Sequence, residues 1–291
     1  MKLSLRTHFA LLAMIVASMP ALAQNQPSLD EQKGFTEVET FQGTFNSQSN
    51  LMKIDSTVGY DFNKNFSLFA GVPFYYANVK SSTTTTGGTT TTTPSSTNNG
   101  LGNAYVGMAF RASNSTLDYA GAITAGAPTG STKNGFSTGR ASIDWTNRFS
   151  HSFHRFTPFF TGGVANTVPD STFFTRPFTS LGPISHLEEG ADYMMVKHVY
   201  VGASAYQIVP FGTQKVFSRV KDGGGTGGNG NETTGNDLTR ENGFSGWVSF
   251  QPSQYWEAEI GFTRSATFDL NSVAFNLRFN VGKMLRSRKS S

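Results

Sequence analysis

The sequence has no cysteine, little charge and no long apolar run in its main body, and each lack excludes something. Without Cys there is no disulfide scaffold, thiolate zinc site, Fe–S cluster or cysteine nucleophile. Charged residues are 14% of the 291, against roughly 25% in ordinary soluble domains. Scarce charge often marks membrane helices, yet no segment after the N-terminus approaches about 18 consecutive apolar residues. Mean hydropathy is −0.28. What is plentiful is Gly (31) and aromatic side chains (26 Phe, 9 Tyr, 3 Trp), with Thr, Ser and Asn supplying the polarity. A β protein that faces lipid on one side and water on the other has this profile.

Residues 1–23 read as a secretory signal peptide: Lys2 and Arg6, an apolar stretch from Ala10 to Val16, then Ala21-Leu22-Ala23 as the small-x-small cleavage pattern. Its removal lowers the net charge from +4 to +2, and without Lys283, Arg286, Arg288 and Lys289 the remainder is at −2. The basic balance thus belongs to a leader and a tail. No clustered Lys/Arg with interleaved aromatics suggests nucleic-acid binding.

Period-2 alternation runs along the rest of the chain. Met52, Ile54, Val58, Tyr60 and Phe62 fall on one face, with Lys53, Asp55, Thr57 and Asp61 on the other. The same holds for 140–149, 255–265 and 272–283. Twelve such segments are expected, at 35–47, 51–62, 66–80, 100–111, 116–127, 140–149, 155–166, 186–195, 199–218, 242–251, 255–265 and 272–283. The first, third and eighth alternate poorly, and Trp247 falls on the more polar side of its strand. Tight connections (63–65, 113–115, 150–154, 196–198, 252–254) alternate with long ones (81–99, 128–139, 167–185, 219–241). Outer-membrane barrels keep short periplasmic turns and long outer loops, with an even strand number. The Thr-rich 81–99 and the Gly/Asn-rich 222–236 bury too little apolar surface to offset ordering entropy and are expected to be solvated.

The expected fold is therefore an all-β, transmembrane, antiparallel up-and-down barrel of about twelve strands. The expected organisation is a signal peptide (1–23), a periplasmic N-terminal segment (24–34) that can reach the lumen, the barrel (35–283) and a basic periplasmic tail (284–291). A charge facing lipid at the bilayer midplane costs roughly 2–4 kcal/mol, so strand charges are expected inside. The lumen-lining candidates are Lys53, Asp55, Asp118, Arg140, Asp144 and Arg148 in the first half, then Glu188, Asp192, Glu257, Glu259 and Arg278. Arg264 shares an apolar face near a strand end, where it reaches headgroups. Tyr60, Phe62, Phe149, Phe156, Tyr255 and Trp256 are expected as an aromatic girdle at the short-turn ends.

Catalysis has little to work with. There is no Gly-x-Ser-x-Gly elbow. His151, Ser152 and His154 fall on a short turn with no carboxylate. His186, Glu188 and Asp192 share one strand face and read as luminal ion pairing rather than a metal or relay site. Glu257 and Glu259 stand about 7 Å apart by strand rise and read the same way. No catalytic residue, metal or cofactor is expected.

Several stretches occur in a telling order: Gly71-Val72-Pro73-Phe74-Tyr75-Tyr76, Gly100-Leu101-Gly102-Asn103 with Met108-Ala109-Phe110-Arg111, Pro128-Thr129-Gly130, and Val209-Pro210-Phe211-Gly212. Over about 66–282 the sequence resembles the outer-membrane transporter family named for the meta-pathway of phenol degradation. It departs from that pattern at Asn103, where the family has an acid. The chain also lacks the terminal aromatic of many outer-membrane proteins. The resemblance implies an outer-membrane barrel for uptake of small hydrophobic or aromatic compounds. The expected partners are outer-membrane lipids, a small-molecule solute and the barrel-assembly machinery. An outer-membrane lipid hydrolase and a non-conducting structural or adhesive barrel are the alternatives.

Overall fold

The computed structural model describes residues 33–86, 89–93, 95–171, 175–219, 232–282 and 284. The signal peptide, nearly all of segment 24–34, the basic tail apart from Met284, and most of the Gly-rich stretch lie outside them. In chain order the strands are β1 (Gly34–Asn46), β2 (Ser49–Asn63), β3 (Phe66–Val79), β4 (Ser82–Thr86), β5 (Thr89–Thr93), β6 (Ser96–Leu101), β7 (Tyr105–Ser113), β8 (Asp118–Gly126) and β9 (Ser142–Ser150). They continue with β10 (Phe156–Ala165), β11 (Phe178–Leu181), β12 (Ile184–Val196), β13 (Val199–Pro210), β14 (Thr213–Ser218), β15 (Glu232–Asn236), β16 (Glu241–Ser253), β17 (Trp256–Ser265) and β18 (Leu270–Asn280).

Twelve of these form one closed antiparallel barrel in the order β1-β2-β3-β7-β8-β9-β10-β12-β13-β16-β17-β18, and β18 pairs back onto β1. Closure matters because lipid offers no partner for an exposed N–H or C=O, so a spanning sheet can have no edge. The side-chain distribution is inverted relative to a soluble sandwich. On β17, Ile260 is 59% exposed while Glu259 beside it is 4% exposed. The apolar face points outward and the polar face inward.

Short-range chemistry sets the turns. Asn63 Oδ1 accepts from the backbone N–H of Asn65 (2.8 Å) and Phe66 (2.9 Å). Asn114 Oδ1 does the same for Thr116 and Leu117, and Asn46 Oδ1 for Gln48 and Ser49. Such side-chain mimicry of a backbone turn is what Asn supplies. Outward aromatics cluster near the short-turn end: Tyr60–Phe62 (5.0 Å), Phe62–Phe66 (5.4 Å), Phe66–Phe110 (5.4 Å), Tyr119–Phe149 (5.1 Å) and Phe250–Trp256 (5.6 Å).

Three details differ from expectation. The segment expected at 100–111 is a broken strand: β6 and β7 both pair with β3, and the chain leaves the sheet at Gly102–Ala104 between them. The segment expected at 199–218 leaves the barrel after Pro210, which has no N–H to continue the ladder, and turns at Gly212 (φ 70°). The outer connections expected to be plain solvated loops carry strands: β4 pairs with β5, and β11, β14 and β15 form a small sheet of their own.

Candidate functional site: the lumen and its outer cap

Inward-facing residues surround a cavity of about 610 Å³. It is lined by residues of all twelve barrel strands, from Thr36, Asp61 and Arg111 at the short-turn end to Phe136, Asp170 and Arg219 at the outer end. Several of its polar groups are paired: Lys53 with Asp55 (3.3 Å), Arg111 with Asp61 (3.7 Å), and the His186 ring with Asp144 (3.4 Å). Tyr105 Oη bridges Asp55 (2.8 Å) and Thr57 (2.7 Å). Strand alternation places all of these on the lumen side.

Beside the cavity, part of the lumen is filled. Phe159 of β10 stacks on Trp247 of β16 (6.1 Å), and both pack with Ala274 of β18. Arg148 lies over the Phe159 ring (4.4 Å), and Trp247 Nε1 donates to Asp192 Oδ1 (3.1 Å). Glycines make the room. A Cβ on Gly202 would overlap the Trp247 indole, and one on Gly190 would sit 2.6 Å from Phe159. Trp247 falls among polar positions because it is a lumen filler, not a lipid-facing residue.

At the outer end three connections meet as a cap over the lumen. From the β10–β11 connection, Asp170 accepts from Tyr75 Oη (2.8 Å) and the Arg176 N–H (3.0 Å). It pairs with Arg219 (3.2 Å), whose guanidinium covers the Tyr75 ring (4.1 Å). Tyr75 stacks on Phe136 (5.7 Å) of the β8–β9 connection. Arg176 stands 3.4 Å from Glu241, which also accepts from Tyr206 Oη (2.9 Å). The cap is tied to the barrel wall where Thr175 N–H donates to Thr44 Oγ1 (3.0 Å) and Gln42 Nε2 donates to Ser171 O (3.3 Å). Burial alone would push the Asp170 carboxyl up. Arg219, Lys53 and the Arg176 and Tyr75 hydrogen bonds outweigh it and hold the group at about 2.

The sequence-expected residues fall in several places. Lys53, Asp55, Asp144, Glu188 and Arg278 line the cavity. Arg148, Asp192, Glu257 and Glu259 are buried on the inward face of the barrel wall. Asp118 sits at the short-turn end, hydrogen-bonded to Ser113. Arg140 is exposed and precedes β9 on the outer side, so it does not line the lumen. The expectation that strand charges avoid the outer face needs correction. Glu37, Glu39 and Glu189 have outward parity, which is why the first and eighth segments alternate poorly. Glu39 is partly satisfied by Ser56 Oγ (2.7 Å), whereas Glu189 is exposed. Arg264 reaches Asn271 (2.8 Å) and Asp269 at the outer rim. His154 holds a turn position (φ 60°) and Ser152 bonds Thr157 (3.0 Å). Among the described residues no three His, Asp or Glu converge as metal ligands. Sequence reasoning missed Asp170, Arg176, Arg219 and Glu241. Their only trace is charge inside or beside long connections, with no periodicity to orient it.

This arrangement defines a transmembrane β-barrel of outer-membrane type, and comparison with solved structures agrees on the fold. The chain is similar to an outer membrane channel from Pseudomonas putida F1, with TM-score 0.56 at 8% identity, covering 90% of this chain and 99% of that one. It also aligns with the KdgM porin in complex with disordered oligogalacturonate, at TM-score 0.48 and 8% identity, covering 83% of this chain and 98% of that one. No family model and no curated protein matches the sequence.

Proposed function

We propose that the protein is an outer-membrane channel for passive uptake of small solutes, exported under the leader at 1–23 and inserted by the barrel-assembly machinery. The observation that carries this reading is the 610 Å³ cavity inside a closed barrel. Cavities of about 300–1,000 Å³ suit small organic molecules. The similar Pseudomonas putida F1 protein is itself described as an outer membrane channel.

The cavity wall favours neutral solutes over ions of one sign. Lys53 and Arg111 each have an acid within 4 Å, so a passing ion must compete with a partner already in place. Phe69, Tyr75, Tyr105 and Phe136 add aromatic surface to the same wall. Small aromatic compounds, the solutes implied by the phenol meta-pathway resemblance, fit such a lining.

Reconstitution in planar bilayers and swelling liposomes tests this. Conductance and faster entry of neutral aromatic solutes than of organic anions of equal size are expected. An electrically silent, solute-impermeable barrel would refute the channel. Equal permeability to both solutes would refute the preference alone.

A further inference from the structure

On the inward face of β17 and β18 two neighbouring buried glutamates stand against one arginine. Glu257 and Glu259 of β17 stand opposite Arg278 and Asn276 of β18 in register. Asp192 reaches the same region from β12, held by Trp247. The arginine opposite the two glutamates is Arg278, and the nearby Arg148 is turned onto Phe159. Among the described residues neither Glu257 nor Glu259 has a cationic group within ion-pair distance. Glu257 is 5% and Glu259 4% exposed.

The unmet need is local. Asn276 Nδ2 donates to Glu259 Oε2 (2.9 Å). This leaves Glu259 Oε1 and Asn276 Oδ1 buried with no partner. Both are acceptors on the inward face, next to a second carboxylate at Glu257. A water molecule would supply donors but no charge. Buried, uncompensated carboxylates are costly, so the layer calls for a positive charge. All-oxygen donors suit hard cations. A divalent ion normally gathers more carboxylates than converge here.

We propose that Glu259 and Asn276, with Glu257 beside them, form a site for a monovalent alkali cation in the lumen wall. The site stands on the barrel alone and does not depend on solute transport. In this reading the cation is part of the filled layer and holds the two neighbouring glutamates in place.

The test is thermal unfolding of the full barrel in detergent at pH 8, in NaCl, KCl or N-methylglucamine chloride at equal ionic strength. Sodium or potassium is expected to raise Tm saturably over N-methylglucamine. The rise should be roughly 3 °C for each tenfold excess over the dissociation constant, by ligand linkage. Glu259→Gln should remove the difference, whereas Glu189→Gln on the outer face should keep it. Equal melting in all three salts overturns the proposal. So does a Glu259→Gln variant that retains the full rise, or melting that responds only to pH between 8 and 6, since protons would then supply the charge. If Glu259→Gln does not fold, anomalous diffraction from wild-type crystals grown in rubidium chloride decides. A peak against Glu259 and Asn276 supports the site, and its absence overturns it.

Discussion

Replacing Asp170 with Asn isolates the charge that locks the outer cap. The amide oxygen can keep the bond from the Arg176 N–H (3.0 Å), and its NH2, in place of the oxygen that Tyr75 Oη reaches at 2.8 Å, can donate to the hydroxyl instead. What disappears is the partner of Arg219, whose side chain is 6% exposed in the pair. Stranding one member of a buried ion pair costs about 3–5 kcal/mol. At about 1.4 kcal/mol per tenfold, the ratio of open to closed cap rises roughly a hundred- to several-thousand-fold. The barrel ladder is untouched, so the cost falls on the cap rather than on the whole fold. Single-channel recordings should show a larger or more frequent open level in Asp170→Asn, and limited proteolysis should cut the 166–183 connection faster. Adding Arg219→Gln removes the stranded charge and should bring conductance part of the way back. A single variant indistinguishable from wild type, or a double variant more open than the single, would refute the lock.

The remaining predictions follow the same physics. Asp170 is held at about 2 against an ordinary 3.8. A depressed carboxyl stabilises the folded cap above the ordinary value and loses that contribution as pH falls towards the lower one. The cap should therefore weaken between about pH 4 and 2, by about 2–3 kcal/mol in total, read as acid-induced conductance; a flat response over that window would contradict it. Gly202→Ala forces the Trp247 indole to move. It should cost about 1–3 kcal/mol in urea unfolding and shift the emission of Trp247, tested in a background with Trp145 and Trp256 changed to Phe. Glu189→Leu removes an exposed outward carboxylate. It should stabilise the barrel in lipid vesicles by about 1 kcal/mol, somewhat below the penalty for a basic side chain on the lipid face. No gain there would place Glu189 outside the hydrocarbon.

The sequence by itself determined the barrel. Alternation decides which side of a strand is apolar, turn chemistry at Asn63 and Asn114 decides where strands reverse, and the parity of short and long connections decides which ends lie together. These are local properties, legible within ten or fifteen residues. The inward placement of Lys53, Asp55 and Glu259 follows from parity alone. Glu37, Glu39 and Glu189 show the limit, since a poor local pattern did not reveal that carboxylates face outward. Only the tertiary structure decided what fills the lumen. Asp170 and Arg219 are 49 positions apart, and Phe159 and Trp247 meet across the barrel from strands that are not neighbours in the sheet. No periodicity brings such residues together. Closure of the sheet does, by turning the inward faces of twelve strands towards one space too narrow for all their side chains to remain solvated.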